Sequence, residues 1–122
     1  MILDCVLVGA GGFAGSVLRY LAGLIPVGDQ GGFPVKTLAI NVIGSFLIAL
    51  IAALAAKYSG FDQRASLLLR AGFCGGFTTF STFAYESAEL MKGGHWAIAL
   101  CYVLASVVLG VSAIFAAQMI IK

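Results

Sequence analysis

Four long apolar stretches alternate along the chain with short polar ones rich in Gly and Pro. The first runs from about Cys5 to Ile25 and holds one charge, Arg19. The second, Thr37 to Ala56, has none, and Asn41 is its most polar residue. The third lies between Ala65 and Met91, with Arg70 toward one end and Glu86 and Glu89 toward the other. The fourth, Trp96 to Ile121, is uncharged. About 20 residues of helix cross the hydrocarbon of a bilayer, so each stretch predicts a transmembrane helix. The joints PVGDQGGFPVK, KYSGFDQR and MKGGH carry turn residues suited to a chain re-entering water. The pattern predicts an all-α membrane protein, a single four-helix domain over 1–122 with helices near 5–25, 37–56, 65–91 and 96–121.

Composition agrees: 61% of the 122 residues are hydrophobic and 10% charged, where a soluble domain carries roughly 25% charged. A net charge of +2 without a basic cluster points away from nucleic acid. Cys5, Cys74 and Cys101 lack metal or redox spacing and read as buried thiols acting as small hydrophobes. The start MILDC has an acid where a signal peptide carries a basic region, so the first stretch is expected to stay in the mature chain. Four spans place Lys57, Arg64, Arg70 and Lys122 on one side, and Arg19, Lys36 and Lys92 on the other. So even a split sets no orientation and permits insertion both ways. Gly11 and Gly15, and again Gly72 and Gly76, stand four apart, a spacing that lets helix backbones approach closely in lipid.

The start VLVGAGGFAG fits a dinucleotide-binding fingerprint, with Gly9, Gly11 and Ala14 after an apolar run and Asp29 farther on. Asp29, however, follows Pro26 and Gly28 in a loop rather than closing a second strand. The remaining chain offers three long apolar spans, not alternating strands and amphipathic helices.

Three features carry candidate chemistry. Arg19 lies two thirds of the way through an apolar helix, where it either reaches a headgroup or faces an aqueous vestibule and concentrates an anion. Asn41, an uncharged donor in mid-span, either bonds a neighbouring helix or lines a polar path. The third is GFCGGFTTFSTF, Gly72 to Phe83. Two adjacent glycines followed by Thr78 and Thr79 make a poor continuous helix, and unwound carbonyls there would be free to coordinate a hard cation. Phe77, Phe80 and Phe83 then recur every third residue, flanked by Thr79 and Thr82 on one side and Thr78 and Ser81 on the other. Such a stripe serves as packing or as a surface for a small, strongly hydrated anion. Hydroxyl and amide donors replace its water and phenyl edges contact it, whereas a lysine or arginine in the path would bind it too tightly to let it leave.

With these residues in view, the chain resembles the Fluc (CrcB) fluoride channels along essentially its whole length. The match is carried by Gly12, Gly15, Arg19 and Tyr20 in the first helix, TLAINVIGSF in the second, GFCGGFTTFSTF in the third and YVLASVVLG in the fourth. The resemblance implies a multi-pass protein of the cell membrane giving passive, fluoride-selective export from the cytoplasm. It implies a dual-topology antiparallel homodimer with two pores. Asn41, Phe80 and Phe83 would line the pore, Ser81 and Thr82 would belong to a polar track, and Tyr102 and Ser106 would lie along its fourth-helix side. Arg19 would be a vestibule arginine. Gly75 and Thr78 would offer backbone carbonyls to a central sodium ion, structural and not transported. Gly110 and Ile114 depart from relatives that carry hydroxyl residues there.

Two rivals share the four-helix form. A small multidrug exporter needs a carboxylate inside the membrane, whereas Asp4 lies at the chain's edge and Glu86 and Glu89 at the end of the third helix. A non-transporting assembly subunit would pass no ions. An enzyme is not expected: His95 is the single histidine, in the loop KGGHW, with no nucleophile–base pair.

Overall fold

The computed structural model describes residues 1–27 and 32–121. Asp29 of the dinucleotide fingerprint, Gly28 beside it and Lys122 lie outside the described residues. Helices α1 (Ile2–Gly23), α2 (Val35–Lys57) and α6 (Trp96–Ile120) are each long and apolar enough to cross a membrane. The remaining span is composite. It starts as α3 (Gln63–Leu67), widens into a π-helical stretch over Leu68–Cys74 and narrows again in α4 (Gly75–Phe77). It then opens at Thr78 and Thr79 and resumes as α5 (Phe80–Lys92). Asp62 starts α3 by accepting the Arg64 N–H at 3.0 Å, the ordinary work of a capping carboxylate.

Glycine explains how this span docks. A Cβ on Gly11 or Gly15 of α1 would run into the carbonyl oxygen of Leu68 or Phe73, and one on Gly72 would sit 2.8 Å from Val8 O. On Gly76 it would sit 2.6 Å from Gly12 O. The two small-residue pairs expected to permit close approach therefore face each other, backbone on backbone. On the other side α2 packs along α6 and bears on the break, where Gly44 makes room for the Thr78 methyl.

Phe13, Tyr20, Leu104, Val108, Phe115 and Met119 point outward and exposed, while Ala99 and Ala117 of α6 are fully buried. Apolar outside and small inside is the arrangement a bilayer requires, and the chain is a multi-pass membrane protein. The cysteines divide between the two environments. Cys74 is buried as expected, whereas Cys5 and Cys101 lie on the exposed outer face, because their helices turn that side away from the bundle. Arg64 pairs with Asp4 at 3.6 Å, bringing the starts of α1 and α3 to one end of the bundle.

Candidate functional site

The break is built by side chains that replace helical hydrogen bonds. Thr78 (φ −83°, ψ 157°) and Thr79 (φ −147°, ψ 114°) are extended. The Thr79 hydroxyl caps α5, accepting the Thr82 N–H at 3.2 Å and donating to Thr82 Oγ1 at 3.0 Å. Across the gap, Asn41 of α2 accepts the Thr79 N–H on Oδ1 at 2.8 Å and donates from Nδ2 to Thr79 O at 3.1 Å. In an unbroken helix Gly75 O would accept the Thr79 N–H and Thr78 O the Thr82 N–H. Both donors are diverted, the first to Asn41 and the second to the Thr79 hydroxyl. Gly75 and Thr78 are thus among the carbonyls that the break leaves without their helical donors. Gly76 O, between them, accepts from Arg19 Nε at 3.1 Å.

Beside the break is a cavity of about 450 Å³ whose lining holds no Asp, Glu, Lys or Arg. Asn41 and Ser45 reach it from α2, Phe80 and Phe83 from α5, and Ser106 from α6. Ser45 turns its hydroxyl onto Asn41 O at 2.8 Å, but the Ser106 hydroxyl is buried with no hydrogen-bond partner among the described residues. A buried hydroxyl is normally satisfied, and this one belongs to a residue in the cavity wall. Phe83 meets Tyr102 edge-on at 5.1 Å between centroids, and Phe80 stands tilted to Phe83 at 5.8 Å. Phe80 remains 78% exposed. The three-phenyl stripe is thus cut by the break: Phe77 falls on the other side, buried and stacked on Phe73 at 5.9 Å.

Toward the start of α2 lies a second cavity of about 310 Å³, with Arg19, Lys36, Thr82 and Glu86 in its wall. Thr79 borders both cavities, so the Asn41–Thr79 pair stands at their junction. Arg19 therefore points into the bundle. Glu86 is the residue the sequence reading undervalued. It sits at the depth of the first turn of α2, not at a bare helix end, and both its oxygens are engaged. Thr37 donates to Oε2 at 3.1 Å and Tyr102, fully buried, to Oε1 at 2.9 Å. The spacing Thr79, Thr82, Glu86 along one helix face was the signal that would have found it. Of the residues carried over from the resemblance, Asn41, Phe80, Phe83 and Ser106 converge on the first cavity and Thr82 and Arg19 on the second. Tyr102 supports them from α6. Ser81 lies on the exposed face of α5 and lines neither cavity.

Neutral hydroxyl and amide donors with phenyl edges suit a small anion that must shed water without meeting a cation that would hold it. Comparison with known proteins gives the same direction. The family model described as CrcB-like protein, Camphor Resistance (CrcB), matches residues 6–118. The fluoride-specific ion channel FluC of Chlorobaculum tepidum is 48% identical over 119 residues, covering 98% of this chain and 94% of the relative. The FluC of Leptospira interrogans is 43% identical, covering 96% and 93%. That of Agrobacterium fabrum is 40% identical, covering 94% and 93%.

Proposed function

Because this chain belongs to the CrcB-like family, we propose that it is a fluoride channel, an ion-conducting protein and not an enzyme, that passively exports fluoride across the cell membrane. The observation that carries the reading is the charge-free cavity at the break, where Asn41, Phe80, Phe83 and the unpartnered Ser106 hydroxyl converge. Fluoride holds its water tightly, and fixed neutral donors offer a substitute at a cost low enough for it to move on. Arg19 and Lys36 in the adjoining cavity raise the local anion concentration. Glu86 beside them accepts hydrogen bonds on both oxygens, which spreads its charge onto Thr37 and Tyr102.

The working form is an antiparallel homodimer with one pore along each chain. Support comes from the even division of Lys and Arg between the two ends and from Phe80 and Gly75, which are exposed beside the break. A structural sodium ion at the centre of the dimer fits the donor set. Gly75 and Thr78 carbonyls lack their helical donors and are hard oxygen ligands. Bound there, sodium would supply a fixed positive charge that holds the break open; it is not itself carried. Asn41 and Thr79 keep those carbonyls free by occupying the two N–H groups.

Liposomes holding the purified protein test the function directly. Fluoride-loaded vesicles are expected to empty once potassium is shunted, while chloride-loaded ones stay full. Equal rates for both anions, or a need for a proton gradient, would overturn it.

A further inference from the structure

A further cavity lies along α2 and the third span, beyond the one at the break. Ile48 of α2 lines the central cavity, and seven residues on, two turns along the same face, Ala55 lines another. On the facing helix Gly75 borders the central cavity, and Arg70, whose carbonyl lies 3.9 Å from a Cβ built on Gly75, borders the other. This further cavity, about 420 Å³, lies near the Tyr58–Asp62 loop, at the end of the bundle opposite Arg19 and Lys36. Ser59, Gln63, Ser66 and Arg70 give it a polar wall, and its lining holds no acid.

Two of its residues are uncommitted. Arg70 makes no ion pair among the described residues. Ser66 is 5% exposed, and its hydroxyl has no hydrogen-bond partner among them. Helical hydroxyls usually fold back onto the carbonyl four residues earlier, and Ser45, Thr78 and Ser87 all do so here. Ser66 does not, although its own N–H bonds Asp62 O. Among the described residues the buried hydroxyls left without a partner are Ser66 and Ser106, one in the wall of this cavity and one in that of the cavity beside the break.

We infer that this cavity is the second mouth of the anion path, a weak access site for a small inorganic anion. Arg70 supplies the attracting charge there, and the Ser66 hydroxyl the first replacement for water. The inference rests on the reading of the chain as a fluoride channel. Arg70 is exposed, so its attraction is screened by salt and raises local concentration without trapping the ion. The path then has a cation at each end, Arg19 and Arg70, and neutral donors between.

The experiment compares fluoride conductance of the parent with Arg70→Gln, Arg70→Lys and Ser66→Ala, at low and high concentrations of an impermeant salt. Elution of each variant as the parental species is required. At subsaturating fluoride and low salt, Arg70→Gln is expected to lose about tenfold, a loss that closes as salt rises. Arg70→Lys should stay near the parent, and Ser66→Ala should lose conductance at every salt concentration. Parental conductance from Arg70→Gln at all fluoride and salt concentrations would overturn the inference, as expected of an arginine that only reaches a headgroup. Equal losses from Arg70→Gln and Arg70→Lys would also overturn it, since charge would then not be the operative property. A parent that conducts no fluoride would overturn the channel reading itself.

Discussion

Asn41 holds Thr79 by both ends of its backbone, with Oδ1 on the N–H at 2.8 Å and Nδ2 on the carbonyl at 3.1 Å. One amide thus fixes the helix break, frees Gly75 O and still borders the central cavity. Asn41→Asp would keep the acceptor but set a carboxylate oxygen against Thr79 O and a negative charge in an anion path. Loss of the donor is expected to cost about 1–3 kcal/mol of stability, and fluoride flux should vanish. Purified dimer with flux near the parental rate at neutral pH would remove Asn41 from the path.

Phe80 and Phe83 separate a conducting surface from filler. Phe80 is 78% exposed, so Phe80→Ile should hardly change the melting temperature of the single fold. If ring edges meet the ion, Phe80→Ile and Phe83→Ile should each lower flux by orders of magnitude, because an aliphatic group has no electropositive edge. Phe77→Ile, at a buried site, should cost about 1–3 kcal/mol and leave flux intact in the protein that folds. Sensitivity confined to Phe73 and Phe77 would assign the aromatic stripe to packing.

Gly75 and Gly15 distinguish contacts between chains from contacts within one. A Cβ on Gly15 would strike the Phe73 carbonyl, so Gly15→Ala should fail to fold. On Gly75 it meets only Arg70 O at 3.9 Å, so Gly75→Val should retain helical content. With a partner and a sodium ion on that face, however, Gly75→Val should elute as monomer and lose sodium-dependent stability. A stable, conducting Gly75→Val dimer would place the partner elsewhere.

Tyr102 and Thr37 share the carboxylate of Glu86, at 2.9 and 3.1 Å. Tyr102→Phe should cost about 1.5–3 kcal/mol as a lost hydrogen bond to a charged acceptor. In a double-mutant cycle with Thr37→Ala the two losses should couple, because removing either donor throws more of the charge on the other. Strictly additive melting shifts would mean that Glu86 is not held between them.

Dual insertion is read from a labelled cysteine. His95→Cys, with the exposed Cys5 and Cys101 replaced by Ser and Ala, leaves every Lys and Arg in place. It should react with a membrane-impermeant thiol reagent from both sides of the cell membrane. Labelling from one side alone would rule out the antiparallel dimer.

The fold was legible because its signal is local. Apolar length announced the spans, and glycine spacing announced the α1 contact, since both follow from the geometry of one helix. The break was legible too, in Gly75–Gly76 followed by Thr78–Thr79. Its chemistry was legible only in part. Asn41 offered two readings, neighbour bond or polar path; the structure shows the bond to Thr79 and sets the same side chain in the wall of the cavity beside the break. That outcome depends on a pairing 38 residues apart that no helical period encodes. Glu86 was placed at a helix end and given no partner for the same reason: the residues that bond it stand 49 and 16 positions away. The π-helical widening at Leu68–Cys74 has no spacing of its own; it arises where the chain must fit the glycine face of α1.

That widened stretch puts length itself under constraint. A one-residue deletion within Leu68–Cys74 would restore an ordinary helix and swing all that follows by about 100° around the axis. Gly76 would leave the Gly12 carbonyl, and Gly75 would turn from the mouth of the break. Descendants of this chain can therefore exchange side chains along the stretch, Gly72 apart, while its residue count stays frozen. Insertions and deletions are expected to collect instead in the Tyr58–Asp62 loop, where an added residue disturbs no register.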